Sequence, residues 1–298
     1  GLFIALLVSS IVYPFVITFA KKHNIVDNPD IRKLQRHPVP VLGGISVFIG
    51  IATSILFTAQ YTDWYTLYGV IIFMFIMLII GLLDDIMNLS ATLRFCLEII
   101  FVWGYIVASH SCIENFHGLW QVYTVSPFIS IPLSILAGVG IINSINLIAG
   151  VDGYSSGYCI SAFLCFFVLF MIMQEYVFAC FAMICVGGLI PFYLHNAFGQ
   201  KSKMYIGDSG TLMMGAALTC CVFMVLSQQK ASSILAQQNI GLIAFCLAVL
   251  GIPIFDTLRV MFARIIRGHS PFMPDKTHLH HLFIDLGFSH IGCGTIII

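Results

Sequence analysis

Apolar runs close to the length that crosses a bilayer as a helix, about 20 residues, recur along this chain with short polar stretches between them. Nine stand out: Leu2–Ala20, Val41–Ala59, Leu67–Leu83, Phe95–Ser109, Phe128–Asn143, Tyr154–Met173, Tyr176–Leu194, Thr211–Leu226 and Ile240–Phe255. A tenth begins near Ile291. The pattern predicts an all-α, polytopic membrane helix bundle of nine spans plus the start of another. The first run lacks a basic n-region and a small-residue cleavage site, so it reads as a span and not as a signal peptide. Gly1 opens directly into that run and three isoleucines close the chain, so the expectation is a piece of a 10–11-span protein, cut inside membrane segments at both ends.

Composition agrees with the pattern. Of 298 residues, 59% are hydrophobic and 9% charged, against about 25% charged in soluble domains, and the mean hydropathy is +1.00. The net charge is zero, with no basic arm or aromatic-interleaved basic stripe, which argues against nucleic acid as a partner. Ten cysteines stand singly or as the pair Cys220–Cys221, without a C-x-x-C, and read as small core hydrophobes. No internal repeat or low-complexity linker divides residues 1–298, so they form a single integral membrane domain.

Lysines and arginines, retained on the cytoplasmic side of membrane proteins, orient the bundle. Alternating spans put Lys21, Lys22, Arg32, Lys33, Arg36, Arg94, Lys201, Lys203, Arg259, Arg264, Arg267 and Lys276 on one side, and only Lys230 on the other. The opposite loops carry Trp64, Tyr65, Trp120 and Tyr123, as an interfacial belt does. The N-terminus should therefore lie outside, and residues 21–40, 84–94, 144–153, 195–210 and 256–290 should form cytoplasmic loops of a multi-pass plasma (inner) membrane protein.

Those loops collect the polar chemistry. Asp84 and Asp85 end the third run, where the negative end of a helix dipole disfavours acids unless a cation offsets them. Successive residues are about 100° apart around a helix, so the two carboxylates should do different jobs; Asn88 should share the face of Asp84. Asn146, Asp152 and Gly153 separate spans five and six, Gly207-Asp208-Ser209-Gly210 precedes span eight, and Asp256, Arg264, Arg267 and the histidines of T-H-L-H-H follow span nine. Carboxylates, an amide, arginines and imidazoles on separate loops suit a hard divalent ion and a phosphate-bearing substrate.

Plainer explanations compete at several positions. Asp152 and Asp208 each stand where an N-cap belongs, Asp256 with Arg259 and Arg94 with Glu98 have the spacing of helix ion pairs, and H-x-H-H could serve zinc. No thiolate lies near those histidines, which favours phosphate contact or proton handling there. Pro38, Pro40, Gly43 and Gly44 predict an ordered turn into the second span.

In this order, the stretches P-V-P-V-L-G-G, L-D-D, N-L-I-A-G-V-D-G, Y-I-G-D-S-G and S-P-F-M-P-D-K-T-H-L-H-H resemble the polyprenyl-phosphate N-acetylhexosamine-1-phosphate transferases of glycosyltransferase family 4, over essentially the whole chain. That superfamily includes the WecA and TagO types, the MraY type and the eukaryotic dolichol-dependent enzymes. The final run is similar to the WecA and TagO branch. The resemblance implies that Asp208 and Asn146 bind Mg²⁺, with Mn²⁺ as an alternative. It places Asp84 and Asp85 near a lipid phosphate, one of them as base, and gives Asp152 and Tyr205 the uracil end of a UDP-sugar. Lys33, Arg94, Arg264, His278, His280 and His281 would meet phosphates or sugar, with His281 among the catalytic groups.

The implied partners are a UDP-N-acetylhexosamine, polyprenyl (undecaprenyl) phosphate and the bilayer, with a homodimer as a candidate assembly. The implied reaction is transfer of N-acetylhexosamine 1-phosphate to the lipid with release of UMP, beginning a cell-envelope glycan. An MraY-type phospho-MurNAc-pentapeptide transferase is the near alternative, and a secondary transporter the alternative of another class. Two positions depart from the bacterial pattern: Ala149 replaces an acid, as in the eukaryotic branch, and Gln35 stands where some relatives carry histidine.

Overall fold

The computed structural model describes residues 1–27, 38–58, 65–116, 118–199, 202–227, 241–270, 277–288, 292 and 294. Each of the nine apolar runs forms a helix: α1 Leu2–Lys22, α2 Gly43–Thr58, α3 Tyr65–Met87, α4 Ala91–Ser109, α5 Pro127–Leu147, α6 Tyr154–Ile172, α7 Tyr176–Phe198, α8 Gly207–Ser227 and α9 Leu242–Ile266. A short α10, Leu279–Asp285, follows. Among the described residues, eight helices are long and apolar enough to cross a membrane, and α2 is a shorter apolar helix of 16 residues. The protein is a multi-pass membrane protein. Most of the tenth run lies outside the described residues.

Helix α8 is the axis of the bundle. Its entire apolar window is buried, and α2, α3, α5, α6 and α9 pack around it. With lipid as apolar as any side chain, helices associate through close packing of small residues, and α8 and its neighbours supply them. A Cβ built on Gly81 of α3 would lie 2.4 Å from the backbone of Asp208, so only glycine lets α3 approach the first turn of α8 so closely. The outer helices turn large apolar side chains such as Phe3, Phe15 and Phe128 outward, as lipid-facing surfaces do.

The turn predicted before the second span is ordered. Val26–Asp27 (β1) and Val39–Pro40 (β2) pair antiparallel, and the backbone N–H groups of Gly43 and Gly44 donate to the carbonyls of Tyr205 and Ile206 at 3.0 and 2.9 Å. The start of α2 is thereby fastened to the segment that leads into α8. Gly207, at φ 72°, makes the final bend, where a Cβ would meet the Val41 carbonyl at 2.2 Å.

The helices outlast the apolar runs, and the polar chemistry rides on the extensions. Helix α3 continues through Asp84 and Asp85 to Met87, and Asn88, in a left-handed conformation with φ 51°, ends it, its N–H donating to the Asp84 carbonyl at 2.9 Å. Ser90 caps α4, its Oγ accepting from Leu93 N, which puts Arg94 one turn inside. Asn146, Asp208, Asp256 and Arg264 are likewise helical and not in loops as expected. An apolar run measures hydrocarbon thickness, whereas a helix continues as long as its polar side chains find partners.

Candidate active site

The adjacent acids of α3 meet different partners. Asp84, buried, accepts from Arg94 Nη1 at 2.8 Å, which supplies the cation that its place at a helix C-terminus demands. Asp85 crosses to α8, where its two oxygens accept the backbone N–H groups of Asp208 and Ser209 at 2.9 and 3.0 Å. The acid that ends α3 thus caps α8, and the positive end of that helix dipole offsets its charge. Asp208 is relieved of the capping task considered for it. Its side chain, 37% exposed, instead accepts from Asn146 Nδ2 at 2.6 Å and stands 3.7 Å from Arg94 Nη1. Asn146 also reaches Thr211 Oγ1 at 2.9 Å.

Arg94 has a third acidic neighbour. Glu98, one turn further along α4, is 0% exposed, with its Oε1 3.6 Å from Arg94 Nε, and Asn143 of α5 donates to its Oε2. Four carboxylates, Asp84, Asp85, Glu98 and Asp208, therefore surround one guanidinium and one helix N-terminus.

A second cluster adjoins the first through the chain itself. Asp152 pairs with Lys203 Nζ at 2.5 Å, and that ammonium lies 5.7 Å from the Tyr205 ring centroid. The N-cap position of α6 is Gly153, not Asp152. Asn196 holds the two strands of this arrangement together: its Oδ1 accepts from Gly153 N at 2.6 Å and its Nδ2 donates to the Met204 carbonyl at 2.9 Å. Burial, with Asp152 and Asp27 nearby, raises the Tyr205 phenol above its ordinary pKa, so it remains a neutral O–H group. Asp208 follows it three positions later in the chain.

A third cluster forms on α9. Arg259 Nη2 donates to Asp256 Oδ1 at 2.7 Å, the ion pair expected from their spacing. Asp256 does more: its Oδ2 is 2.9 Å from His278 Nδ1, and Leu279 N donates to both oxygens at 3.2 Å. Arg259 also reaches the Thr277 carbonyl at 2.5 Å. The start of the histidine run is stapled to α9, which packs against α5. His278 and Arg264 are buried and His281 partly so. The side chain of His280 and all of Lys33 lie outside the described residues.

The structure thus joins Asp84, Asp85, Arg94, Asn146 and Asp208 directly, and Asp152 with Tyr205 through the Tyr205–Asp208 segment. His278 belongs with Asp256, in a cluster tied to the rest by the packing of α9. Sequence reasoning undervalued three residues: Glu98, Asn143 and Asn196. Glu98 did carry a signal, because an ionisable residue inside an apolar run is functional by default.

These features define a class: a multi-pass α-helical membrane protein with an acidic, helix-capped cluster at one end of its bundle. Within it, the chain belongs to glycosyl transferase family 4, whose profile matches residues 67–228, more than half of the sequence. It is 30% identical over 283 residues to the undecaprenyl-phosphate alpha-N-acetylglucosaminyl 1-phosphate transferase of Escherichia coli (strain K12), covering 91% of this chain and 72% of that protein. It is 28% identical over 295 residues to the probable undecaprenyl-phosphate N-acetylglucosaminyl 1-phosphate transferase of Bacillus subtilis (strain 168), covering 96% and 77%. With the Yersinia pestis undecaprenyl-phosphate alpha-N-acetylglucosaminyl 1-phosphate transferase it shares 28% over 281 residues, 91% of this chain and 72% of that one. The similarity places it with the WecA and TagO types.

Proposed function

We propose that this protein transfers N-acetylhexosamine 1-phosphate, GlcNAc 1-phosphate in the first instance, from a UDP-sugar to undecaprenyl phosphate and releases UMP. A phosphate oxygen of the lipid attacks the β-phosphorus, the bond from that phosphorus to the bridging oxygen of the diphosphate breaks, and the electron pair leaves with UMP. The observation that carries the reading is the charge imbalance around Arg94: among the described residues three carboxylates, Asp84, Glu98 and Asp208, against one guanidinium leave a formal excess of two negative charges when all are ionised. A site that must bring two phosphates together needs added positive charge.

The donor set fits Mg²⁺. It is rich in oxygen, as a hard ion requires, and Asp208 is the most open carboxylate of the three at hand in the ion pairs. Among the described residues no three His, Cys, Asp or Glu side chains form a ready-made cage, which suits an ion that takes its other ligands from water and substrate phosphates. Asp208 and Asn146 would hold it, and when bound it supplies neutralisation of phosphate charge, the dominant contribution in phosphoryl transfer.

The contacts favour a division of labour between the two adjacent acids. Asp85 spends both oxygens on the α8 amides, so it positions Asp208. Asp84, oriented by Arg94, is then the carboxylate suited to take the last proton of the lipid phosphate, a contribution of about 10²–10⁴-fold. Asp152 is suited to accept the imide N–H of uracil beside the Tyr205 ring. Arg264, His278, His280, His281 and Lys33 would meet phosphates or sugar. The lysine and arginine bias supports an active site on the cytoplasmic face of the inner membrane with the N-terminus outside, where UDP-sugars and a lipid acceptor can both reach it.

The test uses purified protein, undecaprenyl phosphate and radiolabelled UDP-GlcNAc. Label in butanol-extractable lipid together with UMP is the expected result, and UDP-MurNAc-pentapeptide should not replace the donor. Accumulation of label inside proteoliposomes without a lipid product would instead establish the transporter alternative.

A further inference from the structure

Glu98 has no task in the reaction above, and its situation is costly. It is 0% exposed inside an apolar helix, and its Oε1 has no hydrogen bond, only the Arg94 Nε at 3.6 Å. A buried charge in a span needs a compensating role.

The contacts form a closed ring. From Glu98 it runs to Asn143, three residues along α5 to Asn146, across to Asp208 Oδ1 at 2.6 Å, from Asp208 Oδ2 to Arg94 at 3.7 Å, and back to Glu98. Two anions pull on Arg94 from different edges. Its Nη1 is on Asp84 at 2.8 Å, while its Nε edge faces Glu98. The result is that the guanidinium stops short of Asp208, at a separation too long for a hydrogen bond.

We propose that Glu98 is a positioning residue that anchors Arg94 from behind, holding the guanidinium on Asp84 and off Asp208, so that Asp208 remains available to a divalent cation. Asn143 orients Glu98 and links the anchor to Asn146 on the same helix. This inference rests on the cation role given to Asp208. Without the rear anchor the guanidinium closes on Asp208 and competes for its oxygens. Removing an outer partner of a metal ligand weakens metal affinity by about 10–100-fold, and this one acts through one further residue, so the lower end is expected.

The experiment is Mn²⁺ binding to the purified full chain without substrate, read as loss of the free-ion signal by electron paramagnetic resonance. Glu98→Gln keeps size and shape, and its thermal denaturation without metal checks folding. It should weaken Mn²⁺ binding about tenfold. The double variant Glu98→Gln/Arg94→Ala, which lacks the competing guanidinium, should recover affinity toward the unsubstituted protein. A purely structural Glu98 would move neither value relative to the other. Unchanged Mn²⁺ affinity in Glu98→Gln, or a double variant as weak as the single one, overturns the positioning role. Absence of Mn²⁺ binding in the unsubstituted protein overturns the cation reading itself, so the two failures are distinguishable.

Discussion

The clusters around Arg94 and around Asp256 are built from the same materials and come to opposite balances. Asp256 is a single carboxylate met by Arg259, His278 and the Leu279 N–H; each of its oxygens has a donor, and the assembly fastens one segment to another. Around Arg94, acids outnumber the guanidinium, and the excess sits at the N-terminus of the most enclosed helix in the bundle. A balanced polar cluster is a staple, whereas one whose acids outnumber its cations among the described residues favours a further positive charge. Both hold buried acids, so burial alone would not separate them; the count of donors does.

The contrast is sharpened first at Asp208. Asp208→Asn keeps the shape and removes one charge, and turnover of UDP-GlcNAc should fall by about 10²–10³-fold, the cost of losing one electrostatic contributor in a preorganised site, measured as UMP release. Arg94→Ala attacks the folded state as well: it leaves Asp84 and the buried Glu98 without their cation, at about 3–5 kcal/mol for breaking a buried pair. Thermal denaturation should show that loss, and adding Glu98→Gln should return part of it. At the balanced cluster the expected change is smallest. Asp256→Asn retains an acceptor for Leu279 N and should cost about 1–3 kcal/mol, with turnover reduced less than tenfold; a loss as deep as that of Asp208→Asn would mean that the staple takes part in the chemistry.

Much of this was legible in the residues. The nine apolar runs are nine helices, Asp84 near the end of α3 has the cation that its position calls for, and the two adjacent aspartates do diverge by side. The proline and glycine turn before α2 is ordered. What escaped was the identity of partners. Asp85 caps a helix 123 residues away in the chain, Glu98 meets Asn143 across α4 and α5, and Asp256 reaches His278, 22 residues further on. Periodicity reports which side of a helix a residue occupies, and hydropathy reports where the membrane is; neither reports which helices become neighbours. Helix ends were misjudged for a related reason. Arg94, Asn146, Asp208 and Asp256 extend their helices beyond the apolar runs because tertiary partners satisfy them there.

Asn196 illustrates the limit most plainly. Nothing near it in sequence marks it, yet it ties the Asp152–Gly153 turn to Met204 and so brings Asp152 beside Lys203. A single amide inside a helix end has many mundane explanations, and only the fold selects one.

The central proposal, that the acid-rich Arg94 cluster takes a divalent cation at Asp208, is tested most directly by measuring Mn²⁺ bound per chain in the purified protein and in Asp208→Asn. One ion per chain, displaced by Mg²⁺ and lost in Asp208→Asn, is the predicted result. Equal binding by both proteins, or none by either, would contradict it.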